Sequence, residues 1–504
     1  MVDHACGVWT MFTANSECIH RQVKRSKSPI IIVPKPPYDH LPPTGTLVWA
    51  IIYRSAPIGA EYSPGECHGL RSAALESTQT ASLSALHLFK DKDTSSVHHP
   101  DVDKARAHFP ALKTGYIYAD NAGGSQVPQD VVNRIADYLL YSNVQLGAGY
   151  SVCAQSLRRV QEGKEVAMKL LNAASLEEIM FGGSSTANMD TLMKRMEAEG
   201  GIGSDDEIIV MAGEHEANNG LWKKLAARHG IEIKYWQATP TSRDNPFSIT
   251  HKTQDLLPLI SRRTRIVAFS ACSNILGSII DVKEVSRQIR RSAREHGARN
   301  LEISVDCVAY APHRRIDVQD WDIDYCAISF YKIYGPHAAA LYVRPPSLRF
   351  PSSLLANELV YGCSGILPYL LNLTPAHDIG ATYDWITGHE QTLVQPLLEF
   401  LTHPDQRKRG VKVVGDEAHG PMRVPTISFI VRGPNPIDSA ELAQMVNQRG
   451  GIGIRWYSYN CPSGSDEPDL KGGIARISLV HYNTIEEVRQ IISILREVLY
   501  DGIP

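Results

Sequence analysis

The feature that most constrains the fold is a series of short apolar runs, rich in β-branched residues, between residues 178 and 343. Amphipathic stretches of helical length separate most of them. Strands and helices that alternate in this way predict a mostly parallel sheet covered by helices, in which functional residues lie beyond the carboxyl ends of strands. The predicted strands are Glu178–Phe181, Glu207–Met211, Ile231–Trp236, Arg265–Ser270, Leu301–Asp306, Ile323–Ser329 and Ala338–Val343. The helices predicted between them are Ser185–Glu199, Asn218–His229 and Val282–His296.

The rest of the chain divides by composition. Residues 1–95 are rich in Pro, Ser, His and Thr without a sustained period, which predicts a mostly disordered extension. Residues 96–127 are expected to form an N-terminal arm or a segment of the small domain, 128–360 the large α/β domain, and 361–504 a smaller α+β domain. Residues 361–385, rich in Gly, Pro and Leu, are predicted to be irregular. Beyond them we predict a helix from His389, a strand Val424–Val431, a helix Ile437–Arg449, a strand Ile474–Val480 and a helix Thr484–Tyr500.

Composition also limits the partners. Lysine and arginine total 51 against 54 acidic residues, a formal charge of −3, which argues against nucleic acid. The apolar run Thr46–Tyr53 is far shorter than the roughly 20 residues that cross a bilayer, and no signal-peptide pattern precedes it. Nine scattered cysteines without a CxxC pair are typical of free thiols in a reducing compartment. We therefore expect a cytoplasmic protein with no membrane or nucleic-acid partner and no metal site.

A lysine in an apolar setting is the strongest functional signal. Lys332 follows a predicted strand among aromatic and apolar residues, and the rigid turn Gly335-Pro336 comes directly after it. One βα unit upstream, Asp306 ends another predicted strand, and a buried carboxylate needs a partner. In enzymes that use pyridoxal 5′-phosphate (PLP), an aspartate of this kind keeps the pyridine nitrogen protonated. The pair predicts a PLP enzyme, although Asp306 alone is equally well explained as a helix cap or a structural ion pair.

Four weaker signals occur in order along the chain, each at a strand end or on a strand. The small and hydroxyl residues from Gly182 to Thr186 open a predicted helix and suit a phosphate. His215 has the flat ring to stack on a heteroaromatic group and could act in catalysis by shuttling protons near neutral pH. Asn274 follows another strand, and Arg476 offers a planar fork for a substrate carboxylate. Each signal alone is better explained as a capped helix, a structural histidine, a loop or an ion pair, so their order carries the prediction.

This ordered set resembles the class V aminotransferase family, in its cysteine desulfurase-like branch. The resemblance runs from about Tyr116 to Leu495, opening with the motif at Tyr118–Gly124 and closing with those at Arg476–Ser478 and Tyr482–Glu487. It implies an α/β fold of type I, with a large domain around a mostly parallel, seven-stranded sheet and a smaller α+β domain. It also implies PLP as the cofactor and a homodimer with active sites at the subunit interface.

The resemblance assigns roles residue by residue. Lys332 would form the Schiff base with the cofactor and act in catalysis, Asp306 would pair with the pyridine nitrogen, and His215 would stack on the ring. Asn274 and Arg476 would hold the α-carboxylate of the substrate. The other cofactor-binding positions are Ser184, Ser185, Thr186, Ser329 and Tyr331, with Thr374 reaching the phosphate from the partner subunit.

Three departures from the family bear on the reaction. Desulfurases of this branch carry Arg-Thr-Gly-His-His-Cys, and the cysteine attacks the substrate sulfur. Here the stretch is Arg455–Asn460, so Asn460 holds the position of the nucleophile, and Cys461, a possible nucleophile, comes one residue later. Ala309 replaces the usual Gln or His that bonds the ring oxygen, and Tyr331 replaces the usual His beside the lysine.

These departures leave three functions open. The first is a PLP enzyme without a cysteine nucleophile, similar to a subgroup in secondary metabolism that decarboxylates the side chain of aspartate and adds the resulting enamine to an aldehyde. The motifs at Tyr310–His313 and His481–Thr484 favour this subgroup. The second is a cysteine desulfurase or selenocysteine lyase that uses Cys461. The third is a binding subunit without catalysis, which the intact set of site residues argues against.

Overall fold

The computed structural model describes residues 101–345, 355–457 and 473–501, with the backbone of two short strands nearer the N-terminus. The chain divides into two compact units, residues 1–94 and 95–504. In the first unit, the described strands Ile30–Ile32 and Ala50–Ile52 form an antiparallel pair. The rest of the predicted N-terminal extension lies outside the described residues, as do Asn460 and Cys461.

A seven-stranded sheet forms the centre of the second unit. Neighbouring strands are parallel except where Ala339–Val343 pairs antiparallel with both of its neighbours. Most of these strands are buried at nearly every residue, as continuous apolar runs predict for a sheet covered on both faces. The fold class is confirmed, and each predicted strand end lies within two residues of the observed one. From edge to edge the strands are Ile179–Gly182, Ala339–Val343, Tyr325–Ser329, Glu302–Asp306, Thr264–Ser270, Glu207–Met211 and Glu232–Trp236.

In most strands of this sheet, alternate side chains enter two different apolar cores. Ile208 and Val210 belong to the core formed with the helices Ser185–Ala198 and Asn219–His229. Ile209 and Met211 belong to the larger core on the other face, because successive side chains of a strand point to opposite faces. The helices Ser151–Leu171 and Val282–His296 contribute to that larger core. The other helices of this region are Val102–Arg106, Gln129–Tyr141 and Thr253–Leu256.

The C-terminal part contains a second sheet, whose four strands are all antiparallel. Their order is Val411–Val414, Thr426–Val431, Ile474–Ser478 and Arg455–Tyr457. A separate apolar core joins this sheet to three helices, Ile379–Thr402, Ser439–Gly450 and Ile485–Asp501. The described residues also form the short helix Pro404–Lys408 and two further strand pairs, Ile117–Tyr118 with Ile452–Gly453 and Thr239–Pro240 with Ile249–Thr250. No helix within the described residues is long and apolar enough to span a membrane.

The prediction that residues 361–385 are irregular is wrong. Helices occupy Asn357–Cys363 and Ile366–Leu371, and the helix Ile379–Thr402 begins ten residues before the predicted start. Pro368 lies in the first turn of its helix, where the missing N–H breaks no hydrogen bond. Gly362 marks a close helix contact, since a Cβ atom there would lie 2.6 Å from Cγ1 of Ile135. Glycine and proline therefore serve helix packing and helix starts here and do not indicate a loop.

Candidate active site

A cavity lies at the carboxyl ends of the central strands of the large sheet. It is a narrow cleft that is partly open to solvent, with a free volume of about 30 Å³. Its lining includes six of the residues that the sequence predicts for one site, namely Ser185, His215, Asn274, Asp306, Tyr331 and Lys332; the others are Glu214, Ala217, Ser270, Cys272, Val308 and Ala309. A larger, more open groove in the C-terminal part, near Arg409 and Tyr500, contains none of the predicted residues.

A tight turn holds Lys332 in this cavity. The strand Tyr325–Ser329 leads into a 3₁₀ turn at residues 330–332, and the Phe330 carbonyl accepts hydrogen bonds from the amides of Ile333 and Gly335, both at 2.8 Å. Gly335 is required for space, because a Cβ atom there would lie 2.9 Å from Cβ of Phe330. The turn therefore fixes the lysine backbone, and the lysine is only 6% exposed.

Lys332 and Asp306 shift each other's ionisation. Burial lowers the pKa of Lys332 to about 8, while the negative charge of Asp306 opposes that shift and the positive charge of Arg476 adds to it. Burial raises the pKa of Asp306. Two effects oppose this shift: the backbone N–H of Val308, which donates to Oδ1 at 2.9 Å, and the positive charge of Lys332. A protonated pyridine ring would supply the cation that this buried carboxylate needs.

The contacts and burial of His215 favour the neutral ring with its proton on Nε2. Its Nδ1 accepts a hydrogen bond from the backbone N–H of Ala217 at 3.0 Å, which fixes the tautomer. Burial lowers the pKa of His215, and the charge of Lys332 adds to that effect, although Asp306 opposes it. The cavity therefore has a flat, uncharged ring on its wall, as stacking on a cofactor requires.

The hydroxyls predicted for a phosphate divide into two groups. Ser329 donates to Ser185 Oγ at 3.3 Å, where the helix Ser185–Ala198 begins, so these two hydroxyls converge at a helix N-terminus suited to an anion. Ser184 instead caps the helix, accepting from the Ala187 amide at 3.1 Å. Neither Ser184 nor Thr186 lines the cavity, and Thr186 is exposed.

Thr374 does not line the cavity of its own chain. It is buried, and its hydroxyl has no hydrogen-bond partner within the described residues. Its role at the phosphate of a partner subunit stays a prediction.

Arg476 forms the centre of a charged cluster beside the cavity. It is fully buried, and its guanidinium donates to the Asn274 carbonyl at 2.9 Å and to Asp120 Oδ1 at 2.8 Å. Arg455 donates to the other oxygen of Asp120 at 2.6 Å. The ring of Tyr457 lies 4.7 Å from the guanidinium carbon of Arg476. One carboxylate thus aligns two arginines next to Asn274, and their role in holding a substrate carboxylate stays a prediction.

Two candidate functional residues were not identified from the sequence patterns. Asp120 lies within the opening motif, but the sequence does not indicate that it pairs with Arg476, because Arg476 is distant in sequence. Glu214 directly precedes His215, and it is an 8% exposed carboxyl on the wall of the cavity. Burial raises the pKa of Glu214 to about 7, opposed by hydrogen bonds from Ser270 and Ser273. Its position just after a strand end is the signal that could have indicated it.

Known proteins resemble this chain in sequence and in fold. Residues 117–354 match the family model described as Aminotransferase class-V. The aminotransferase-like protein FGM3 of Gibberella zeae is 35% identical over 417 residues, 79% of this chain and 98% of that protein. The cysteine desulfurase-like protein ustD of Aspergillus flavus is 30% identical over 429 residues, 79% of this chain and 91% of that protein. The apo structure of a cysteine desulfurase from Thermococcus onnurineus shares the fold, with a TM-score of 0.65 at 20% identity over 81% of this chain and 100% of that chain.

Proposed function

The chain belongs to the class V aminotransferase family, whose members are PLP-dependent enzymes, and we propose that it forms a carbon–carbon bond on a small L-amino acid. The observation that carries this proposal is the cavity in which Lys332, Asp306 and His215 converge beside the Asn274 turn. Asn460 occupies the position of the family's nucleophilic cysteine. The intact set of groups argues against a binding subunit without catalysis.

The residues of the cavity fit the cofactor. When bound, PLP would supply an electron sink that weakens bonds near the amino group of the substrate. Lys332 would hold it covalently, Asp306 would keep its ring nitrogen protonated, and His215 would cover one ring face. Ser185 and Ser329 would bind its phosphate.

Lys332 is also the candidate general base. Because burial lowers its pKa to about 8, a useful share of the amine is neutral near pH 7 and can accept a proton from Cα. Arg476 and the Asn274 turn would orient the α-carboxylate, so that the same substrate bond always faces Lys332.

The reaction that we propose starts from an aspartate-type substrate. Its side-chain carboxylate leaves as CO₂, and the electron pair of the broken bond remains on Cβ. Cβ then attacks the carbonyl carbon of an aldehyde, whose oxygen takes up a proton to give a γ-hydroxy amino acid. The missing cysteine and the motifs at Tyr310–His313 and His481–Thr484 support this chemistry. A role in secondary metabolism stays a prediction.

Desulfuration is the alternative, because Cys461 lies only one residue beyond the expected position and other positions match the desulfurase branch. This version predicts alanine from cysteine, with the sulfur left as a persulfide on Cys461 that an added thiol reductant releases as sulfide, and loss of both products in Cys461→Ala. Cys461 lies outside the described residues.

The two versions are separated by one experiment on purified protein. Its absorbance spectrum should show a cofactor band that Lys332→Ala abolishes and that the exposed-lysine control Lys224→Ala retains. Incubation with L-aspartate and a panel of aldehydes should then release CO₂ and give hydroxy amino acids, with Cys461→Ala fully active. Alanine from L-cysteine, and sulfide once a thiol reductant is added, both lost in Cys461→Ala, with no CO₂ from aspartate would refute carbon–carbon bond formation.

We also propose a cytoplasmic homodimer. Large apolar side chains are exposed on the helices Gln129–Tyr141 and Ser151–Leu171, including Leu140 at 70% and Leu157 at 55%, which favours a covered face. The five described cysteines are all buried and free, as a reducing compartment allows. A monomer in sedimentation experiments at micromolar concentration would contradict the homodimer. A tagged protein found outside the cytoplasm would contradict the cytoplasmic location.

A further inference from the structure

A side chain from a distant part of the sequence closes the turn that carries Lys332. In a tight turn of four residues, the carbonyl of the first can accept a hydrogen bond directly from the amide of the fourth. In the segment Tyr331–Tyr334, the hydroxyl of Ser125 lies between these two groups. It donates to the Tyr331 carbonyl at 3.2 Å and accepts from the Tyr334 amide at 2.9 Å, as the single hydrogen and the lone pairs of a hydroxyl allow. The Ser125 amide donates to the same carbonyl at 3.0 Å.

The backbone of Tyr334 needs this support, because its φ is +63°. Residues other than glycine rarely adopt a left-handed backbone, and they keep it only where surrounding contacts hold it. The phenol of Tyr334 is fully buried, and its oxygen lies 2.9 Å from His481 Nδ1 and 3.3 Å from the Pro312 carbonyl. These contacts fix the end of the side chain. Ser125 holds the backbone, two residues from Lys332.

Ser125 can act as an anchor because its own segment is attached elsewhere. The amide of Ala122 donates to Ser478 Oγ at 2.9 Å. The amide of Gln126, directly after Ser125, donates to the hydroxyl of Tyr482 at 3.0 Å. Both acceptors belong to the C-terminal part of the chain. The segment is therefore held independently of the turn that it closes.

Loss of the Ser125 hydroxyl would free the turn. The amide of Tyr334, a fully buried residue, would lose its hydrogen bond to that hydroxyl, and an unpaired buried amide is costly. The turn would then relax to other backbone conformations, and Lys332 would point into the cavity in only a fraction of the molecules. A reaction that needs Lys332 slows in proportion to that fraction. Contacts of a ligand with the rest of the cavity do not depend on it.

We propose that Ser125 is a positioning residue whose hydroxyl closes the Lys332 turn and so holds the lysine amine at the cofactor. This inference rests on the proposed function, because it requires Lys332 to bind the cofactor covalently. Ser125 is not part of the described lining of the cavity, so it acts through the turn and not on the cofactor itself.

The test compares two ligands that differ only at the aldehyde. PLP and pyridoxine 5′-phosphate share the ring and the phosphate, but the second has an alcohol in place of the aldehyde and cannot bond to Lys332. Apo protein is mixed with PLP, and the rate at which the cofactor band forms measures covalent attachment. Calorimetric titration measures the affinity for the alcohol. Ser125→Ala is expected to slow band formation about tenfold or more and to change the affinity for the alcohol less than about twofold.

Three further variants define the mechanism. Ser125→Thr keeps the hydroxyl and should restore band formation to within about threefold of the wild-type rate. Ser125→Cys has a thiol, a weak donor and acceptor, so its rate should fall between those of the Thr and Ala variants, which keeps the test decisive even where Ser125→Ala fails to fold. Ser261→Ala is the matched control. That hydroxyl also donates and accepts, to Glu207 at 2.7 Å and from the Arg263 amide at 3.1 Å, and its loss should change neither quantity.

The outcomes separate this inference from the proposed function. Equal losses of band formation and of affinity for the alcohol, an unchanged rate in Ser125→Ala, or a Thr variant as slow as the Ala variant would each overturn the positioning role alone. A wild-type protein that binds the alcohol but forms no cofactor band with PLP, or a band that persists in Lys332→Ala, would refute the proposed function and the positioning role with it.

Discussion

Replacing Asp306 with Asn and Arg476 with Gln should move the pKa of Lys332 in opposite directions. The negative charge of Asp306 raises that pKa, whereas the positive charge of Arg476 lowers it, and burial sets the starting value of about 8. Only the neutral amine attacks the aldehyde of PLP. The pH dependence of cofactor incorporation into the apo protein therefore reports the pKa of this one lysine.

The expected effect is large. With a pKa of about 8, roughly one Lys332 in ten is neutral at pH 7. With the ordinary value of 10.5, only about one in three thousand would be neutral, so burial favours incorporation at pH 7 about 300-fold. The rate should rise about tenfold for each pH unit below the pKa and level off above it.

Stopped-flow mixing of apo protein with PLP between pH 6 and pH 10 measures the pH at which the rate levels off. We call this pH the break. The break should lie near pH 8 in the wild type, at lower pH in Asp306→Asn and at higher pH in Arg476→Gln. The protonation steps of free PLP are common to every variant, so the comparison rests on differences between breaks. Arg476→Lys keeps the positive charge and serves as the control with a wild-type break.

A break that stays at one pH in all variants would refute the electrostatic account of Lys332. A shift of both charge-removing variants in the same direction would also refute it, because the two charges act with opposite sign. A rate that still rises at pH 10 in the wild type would show that burial does not lower the pKa.

Two other predictions concern the phosphate end and the Asn274 turn. Ser329→Ala should weaken PLP binding about tenfold while leaving pyridoxal, which lacks the phosphate, unaffected in absorbance titrations; equal losses would contradict a phosphate contact. Gly277→Ala should lower the free energy of unfolding in urea by more than about 2 kcal/mol, because the residue has a φ of +71° and a Cβ atom would lie 2.1 Å from the Thr426 carbonyl oxygen. Gly297→Ala, with a φ of +74° and open space around it, should cost only about 1 kcal/mol, and equal costs would contradict the steric argument.

The large sheet could be predicted because its strands are buried on both faces. A strand such as Glu207–Met211 then appears as a continuous apolar run, which no exposed loop produces. The strand Arg455–Tyr457 could not be predicted in this way, because Arg455 and Trp456 are exposed at the edge of the smaller sheet. Its pairing with the buried strand Ile474–Ser478 depends on the tertiary fold.

The residues of the site also divide into those that local sequence could predict and those that depend on the tertiary fold. Asp306 ends a strand, and Lys332 and His215 lie within four residues beyond one, so their positions follow from local sequence together with the rule for strand ends. Asp120 is different, because its role depends on its pairing with Arg476, which is distant in sequence. Local patterns show where a side chain emerges but not which distant group satisfies it.

The charged cluster at Arg476 bears on the choice of reaction. Two guanidinium groups and the Asp120 carboxylate carry a formal charge of +1, which matches a single α-carboxylate. The described lining of the cavity contains no arginine and no lysine besides Lys332, which the cofactor would engage. The second carboxylate of a bound aspartate would then lack a matching cation within that lining. A poorly paired carboxylate in a buried site is raised in free energy, and its departure as CO₂ removes the uncompensated charge. For the reaction that we propose, this charge balance supports loss of the side-chain carboxylate from a substrate whose α-carboxylate the Arg476 cluster would hold.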